Sequence, residues 1–236
     1  NKKYNFFITL NEKLLEKVSS KKENIKIISV KDNICTKELR TTCGSKILEN
    51  YYPVFDATVV EKAKKNGFII VGKSNMDEFG FGSFSVNSGF SIPKNPLDKE
   101  RTCGGSSGGG AGYTYASKFS NSSIAESTGG SISCPAAFCS VVGVTPTYGL
   151  VSRYGLIDYA NSLDKIGVFG KTVKDATKLL NVISGYDEKD STSIKREKEN
   201  YESYLNKNNK FKICLIKEFS RDLIIEVENE FWNSVK

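Results

Sequence analysis

Apolar positions along this chain recur at two spacings, one of strands and one of helices. The run Ile25-Lys26-Ile27-Ile28-Ser29-Val30 predicts a strand over Asn24 to Val30 that delivers Lys31 at its end, a rigid place to hold a side chain. Residues Ala57 to Asn66 carry helical spacing, with Val59, Val60 and Ala63 on one face. Gly67 stops them before the strand Phe68 to Gly72. That helix-to-strand step is half of a βαβ unit. From Asn75 to Arg101, glycines and aromatics follow neither period and read as an ordered loop, a class that tends to be functional at this length. A glycine-rich block at 104 to 112 then runs into Tyr113-Thr114-Tyr115-Ala116, where a helix is predicted to start. Val141 to Val144 reads as a short strand, and Val173 to Ser184 as an amphipathic helix with Ala176, Leu179, Leu180 and Ile183 inward, ended by Gly185. A charged connector, Asp187 to Asn209, leads to a predicted strand, Phe211 to Ile216, and a helix, Asp222 to Val235. No internal repeat or heptad pattern is present.

At 236 residues the chain suits one α/β domain, taken as 1 to 236. Apolar residues make up 39% and aromatics 11%, which excludes a disordered composition, and no apolar run nears the roughly 20 residues that span a bilayer. A soluble protein is expected. The net charge of +7 comes mainly from lysines scattered among acids, as in Lys195-Arg196-Glu197-Lys198-Glu199, with arginine only at positions 40, 101, 153, 196 and 221. This is a solvated surface rather than an arginine-built nucleic-acid patch. Abundant Lys, Asn and Ile suggest an A/T-rich coding genome. The six cysteines lack C-x-x-C spacing and any histidine partner, so zinc is not expected and free thiols in a reducing compartment are. No secretory or transit segment opens the chain. It starts at Asn1 and stops inside a predicted helix, so it reads as a segment truncated at both ends, with room upstream for a targeting peptide.

Histidine is absent altogether. Two Gly/Ser blocks, Gly104-Gly105-Ser106-Ser107-Gly108-Gly109-Gly110 and Thr128-Gly129-Gly130-Ser131-Ile132, therefore cannot enlist imidazole. A serine that attacks a carbonyl needs a positioned base, which leaves lysine, carboxylate or tyrosine. Lysine serves only when held neutral, as burial can achieve. Lys31, in Lys31-Asp32-Asn33, is the first candidate. The first block matches G-x-S-x-G through Gly104, Ser106 and Gly108, but neither the preceding strand nor the histidine of a nucleophile elbow is there. No Gly-Lys-Ser/Thr follows, so it is not a phosphate loop. In the second block, Thr128-Gly129-Gly130 can turn several backbone N–H groups toward one point, as an oxyanion hole does. Either block alone would equally be a flexible loop or a capped turn.

Taken in order and spacing, the blocks resemble the amidase signature enzymes. The resemblance implies an α/β/α sandwich around a mixed sheet, and a catalytic set of a nucleophilic serine, a second serine whose preceding peptide bond is cis, and a lysine. Lys31 in Val30-Lys31-Asp32-Asn33-Ile34 matches the family lysine, Ser106 the bridging serine and Ser131 the nucleophile, with Thr128, Gly129 and Gly130 as oxyanion donors. The match continues through Pro135-Ala136-Ala137-Phe138-Cys139, Gly149 to Arg153 and Ser162-Leu163-Asp164, and so covers most of residues 1 to 190. Three features depart from the family. Ser127 and Ser133 stand where it commonly has aspartate and arginine. Ser106 and Ser131 lie one position further apart than usual, placed as an insertion in Ala116 to Ser123. The family's C-terminal half, which grips the substrate's α-amino and α-carboxylate groups, is not in these residues.

Within the family, Gly72-Lys73-Ser74-Asn75-Met76-Asp77-Glu78-Phe79-Gly80-Phe81-Gly82-Ser83 is most similar to the A subunits of glutamyl-tRNA(Gln) amidotransferases. That likeness implies a glutaminase in which neutral Lys31 draws a proton through Ser106 while Ser131 attacks the side-chain amide of glutamine. Gly82 and Ser83 would line the substrate site. Ammonia would pass to the partner B and C subunits, and conversion of Glu-tRNA(Gln) to Gln-tRNA(Gln) would consume ATP with magnesium at the partner. The tRNA would be held mainly by the B subunit, and this chain would need no cofactor, metal or membrane. Two other readings are a stand-alone amidase of small amides and a non-catalytic, interaction-only homologue. The composition leans toward an organelle, and a bacterial-type cytoplasm fits as well.

Overall fold

Six strands form one sheet in the first of two units, Asn1–Leu205, of the computed structural model: β1 (Phe7–Leu10), β2 (Lys26–Lys31), β3 (Phe68–Ser74), β4 (Asn121–Ser127), β5 (Val142–Val144) and β6 (Lys165–Gly170). The structure describes residues 3–14, 25–207, 210, 212, 214–216, 218 and 222–235. Strand order is β1-β3-β2-β4-β6-β5. β2 lies parallel to both β3 and β4, while the pairs β1–β3, β4–β6 and β5–β6 are antiparallel. This is the mixed sheet expected.

Helices α1 (Thr58–Lys65), α2 (Gly108–Ala116), α3 (Ser133–Phe138) and α4 (Val173–Ile183) belong to the same unit. Side chains alternate across a strand, so neighbours in sequence enter different cores. Ile124 and Val168 join Val59, Val60 and Ala63 of α1 and Leu179, Leu180 and Ile183 of α4 in one apolar cluster. Ala125 and Phe169 join Ala111 of α2 and Ala136 of α3 in the other. The result is a helix–sheet–helix sandwich. Thr172 caps α4 by accepting the Asp175 N–H at 3.1 Å. Lys62 of α1 covers the far end of α4, donating to the carbonyls of Ile183, Ser184 and Gly185 at 3.4, 3.2 and 3.1 Å.

Strands β1 and β6 and helix α3 lie where the sequence reading places no element, and two further elements differ from the hydrophobic pattern. The helix after the glycine block begins at Gly108, not Tyr113, although each glycine costs about 1 kcal/mol against alanine in a helix. Close approach overrides propensity here: a Cβ on Gly109 would lie 2.5 Å from the Phe6 carbonyl and 2.6 Å from the Asn75 nitrogen. β4 is also missing from the pattern, because Asn-Ser-Ser-Ile-Ala-Glu-Ser shows no apolar alternation, yet all seven residues are buried. Its serines find polar partners instead. Ser29 donates to Ser123 at 2.7 Å, Ser123 donates to the Gly110 carbonyl at 3.1 Å, and the Thr114 hydroxyl lies 2.8 Å from that of Ser123.

The second unit, Asn206–Lys236, contains helix α5 (Ile225–Val235), with Glu226 and Glu228 in its first turn, where the helix dipole favours acids. Of the strand predicted over Phe211 to Ile216, positions 211 and 213 lie outside the described residues, and 212 and 214–216 belong to no regular element. No helix among the described residues is long and apolar enough to cross a membrane.

Candidate active site

Strand β2 ends by placing the Lys31 side chain, fully buried, between Ser106 of the first Gly/Ser block and Glu126 of β4. Its ammonium nitrogen meets three acceptors: Ser106 Oγ at 2.8 Å, Glu126 Oε2 at 2.8 Å and the Glu126 carbonyl at 3.1 Å. Ser106 is held from both sides. The Gly105–Ser106 peptide is cis, Gly105 N–H donates to the Ser83 carbonyl at 2.8 Å, and the Ser106 carbonyl accepts from Asp77 N–H at 3.2 Å. Ser107 donates to the Glu126 carbonyl at 2.9 Å, tying the first block to β4. The Asp77 carboxylate organises the loop around them by accepting the N–H groups of Ser85 and Asn87 at 2.9 and 3.0 Å. Any Cβ on Gly105 would collide with that carboxylate, so glycine is required there.

Ser131 lies on the turn between β4 and α3. It is 8% exposed, and among the described residues its hydroxyl enters no hydrogen bond. The backbone N–H groups of Thr128, Gly129, Gly130 and Ser131 also find no acceptor among the described residues. A Cβ on Gly129 would meet nothing within 4 Å. Packing in this chain therefore gives no reason for glycine at 129, and the open space beside it is where a ligand would approach the donors. The Thr128 side chain is engaged elsewhere, 3.0 Å from Glu126 Oε1 and 2.6 Å from Asp164 Oδ1. Asp164 in turn accepts the N–H groups of Tyr159 and Ala160 at 2.7 and 2.9 Å. Ser127, at the family's aspartate position, is buried, and Ser133, at its arginine position, donates to the Gly130 carbonyl at 3.3 Å. Gly82 sits against the Asp77 carboxylate, and Ser83 is exposed with its carbonyl spent on Gly105.

A second buried pair lies beside the first. Lys73 Nζ stands 3.8 Å from Asp32 Oδ1 and donates to the Ile34 carbonyl and the Thr41 hydroxyl, both at 2.6 Å. Asp32 Oδ2 accepts from Thr42 N–H at 2.9 Å and from the Thr42 hydroxyl. Burial raises the Asp32 carboxyl above the ordinary aspartate range, against the pull of Lys73, and the same burial lowers Lys73. Among the described residues no cluster of three or more His, Cys, Asp or Glu could hold a metal ion.

The chain as a whole is similar to known proteins. The amidase family model matches residues 1–236. The chain belongs to the amidase family. Among amidase-family relatives, the glutamyl-tRNA(Gln) amidotransferase A subunit of Sulfurihydrogenibium sp. is 54% identical over 211 residues, which is 89% of this chain and 43% of the relative. An A subunit of Clostridium acetobutylicum is 55% identical over 197 residues, 83% of this chain and 41% of the relative. The crystal structure of the Thermotoga maritima A subunit superposes with a TM-score of 0.76 at 48% identity, covering 82% of this chain and 42% of that one. The chain thus spans less than half the length of these amidase-family proteins.

Sequence reasoning reaches Lys31, Ser106 and Ser131 but not Glu126, whose carboxylate joins Lys31, Asn33 and Thr128. A signal is present: Glu126 is the one charge in a seven-residue run of small residues that directly precedes the glycine turn. Asp77 likewise sits inside the Met76-Asp77-Glu78-Phe79 motif, whose spacing gives it no role until the fold brings Gly105 and Ser85 against it.

Proposed function

We propose that this chain is the glutamine-hydrolysing part of a glutamyl-tRNA(Gln) amidotransferase A subunit. The observation that carries the reading is the 2.8 Å hydrogen bond between buried Lys31 and Ser106 in a chain without histidine. Identity of about half to named A subunits supports the choice of substrate over other amides. As Ser131 Oγ attacks the side-chain carbonyl carbon of glutamine, its proton passes to Ser106, and the Ser106 proton passes to Lys31. The backbone N–H groups of Thr128, Gly129 and Gly130, with that of Ser131, receive the developing oxyanion, an interaction worth roughly 3 to 4 kcal/mol per donor where it has been measured. The relay then runs backward to protonate the leaving nitrogen. Ammonia departs, and water cleaves the glutamyl ester by the same route. The B and C subunits would receive the ammonia, with ATP, magnesium and most of the tRNA contact belonging to the partner. Gly82 and Ser83 would border glutamine. An organelle of bacterial descent fits both the A/T-biased composition and the bacterial relatives.

The test is ammonia release from glutamine by Ser131→Ala, Ser106→Ala and Lys31→Ala in the assembled complex. Losses of at least about a thousandfold are expected for Ser131 and Lys31, with little more in the double variant, because relay members act as a unit. Near-normal release by the Ser131 variant would sink the assignment.

A further inference from the structure

A base must have a free lone pair, and Lys31 at first sight has none. Its three acceptors, Ser106 Oγ, Glu126 Oε2 and the Glu126 carbonyl, match the three protons of an ammonium. The protons around Thr128 point the other way. The Thr128 hydroxyl has a single proton but lies 3.0 Å from Glu126 Oε1 and 2.6 Å from Asp164 Oδ1. It can donate to one carboxylate only, so the other oxygen must either face a lone pair or carry a proton. Of the two carboxyls, Glu126 is the one hydrogen-bonded to a group with a proton to give, the Lys31 ammonium, whereas the donors on Asp164 are the Thr128 hydroxyl and two backbone amides. Glu126, 1% exposed on the central strand, is therefore the group to carry the extra proton.

From this geometry, and resting on the glutaminase reading above, we infer that Glu126 is a positioning residue that takes one proton from Lys31 and so supplies the neutral amine the relay requires. One N–H bond of the Lys31 ammonium breaks and one O–H bond forms on Glu126. The pair's net charge stays at zero, so no charge is left unpaired in the interior. With that proton on Oε1, Glu126 donates to Thr128 and Thr128 donates to Asp164. Oε2 still accepts from Lys31 and from Asn33 Nδ2, the latter at 3.2 Å. Lys31 keeps two N–H bonds, to Oε2 and to the Glu126 carbonyl, and turns its lone pair to the Ser106 hydroxyl. Each proton so placed on Lys31, Glu126 and Thr128 then has an acceptor. The family's aspartate position is Ser127 in this chain, and the buried Glu126 carboxylate lies one residue earlier.

Other charged or titratable groups near this pair are Asp32, Lys73 and Cys43 around the end of β2, Asp77 under the first block, and Asp164 and Lys165 at β6; Lys165 donates to the Thr128 carbonyl at 3.1 Å. The experiment compares the pH dependence of glutamine hydrolysis for Glu126→Gln, Glu126→Ala and Thr128→Val in the assembled complex, with Ser131→Ala as reference. Glutamine imitates the neutral acid, since its amide can donate to Thr128 while its oxygen accepts from Lys31. We expect Glu126→Ala to lose about a hundredfold and Glu126→Gln less than about tenfold, with the acid limb of its kcat/KM profile within about half a unit of wild type. Thr128→Val removes the acceptor for the Glu126 proton and should move that limb about one unit to higher pH. Equal damage by glutamine and alanine, or a faster Glu126→Gln enzyme whose limb moves more than about a unit downward, would mean that Glu126 holds Lys31 charged, and the inference fails. An unmoved limb in Thr128→Val overturns it too. If Ser131→Ala stays active, the underlying glutaminase reading has failed instead, whatever Glu126 does.

Discussion

Single residues in this protein are decided by what a buried polar atom can find. Lys73 belongs by sequence to the glycine-rich motif of residues 72 to 83, yet it is fully buried and serves as counter-charge to Asp32, whose Oδ1 has no hydrogen-bond partner. Replacing it with methionine keeps the volume and strands the carboxylate. Breaking a buried pair this way costs about 3 to 5 kcal/mol, and neutralising both partners costs much less. Urea unfolding should therefore show a large loss for Lys73→Met and a partial recovery on adding Asp32→Asn. A single-variant loss below about 1 kcal/mol would show that the pair is not what keeps Asp32 tolerable. Residue identity announces such pairs only weakly, because a lysine at a strand end looks the same in sequence whether it faces solvent or an acid 95 positions away, as Lys31 faces Glu126.

At the scale of elements, glycines in the two blocks have opposite reasons. Gly109 lies where helix α2 touches the Phe6 and Asn75 backbones, and its N–H donates to the Asn75 carbonyl at 3.1 Å. Gly109→Ala gains about 1 kcal/mol of helix propensity but overpacks, a cost of about 1 to 3 kcal/mol. Net destabilisation and a loosened Ser106 are expected, read as a lower Tm and weaker hydrolysis together. Gly129 faces open space, so Gly129→Ala should leave stability within about 0.5 kcal/mol while lowering kcat. A drop in Tm as large as that of Gly109→Ala would remove the ligand-facing role of this turn. The amphipathic helices α1 and α4 and strands β2, β3 and β5 are readable because their apolar spacing reports one buried face. Strand β4 is not, since a centre strand lined with serines satisfies itself through hydroxyl partners that only assembled neighbours provide.

Across the whole sandwich, stability at neutral pH leans on carboxylates that join distant segments. Asp187 accepts the hydroxyls of Thr58 at 2.5 Å and Ser152 at 2.6 Å, and Asp190 accepts the Arg153 N–H at 2.7 Å. Burial pushes both carboxyls up, but for Asp187 the Ser152 and Thr58 hydroxyls, and for Asp190 the Arg153 and Thr192 donors, outweigh it. Both end below the ordinary aspartate range. Their folded values lie below the unfolded ones, so their contribution is full above the unfolded value of about 3.9 and disappears as pH falls through the folded values. Acid unfolding should steepen below about pH 4 and flatten in the double variant Asp187→Asn, Asp190→Asn. An unchanged slope would show that these ties carry no folding energy. Sequence alone carried the resemblance to the family, which implies the sandwich around a mixed sheet, and the order of Lys31, Ser106 and Ser131, since motifs depend on residue type and local spacing. Tertiary structure alone decided that Glu126 meets Lys31, that a helix starts at Gly108 and that Asp32 needs Lys73. Each of these is a balance of burial against pairing between groups far apart in the chain, and no local pattern encodes it.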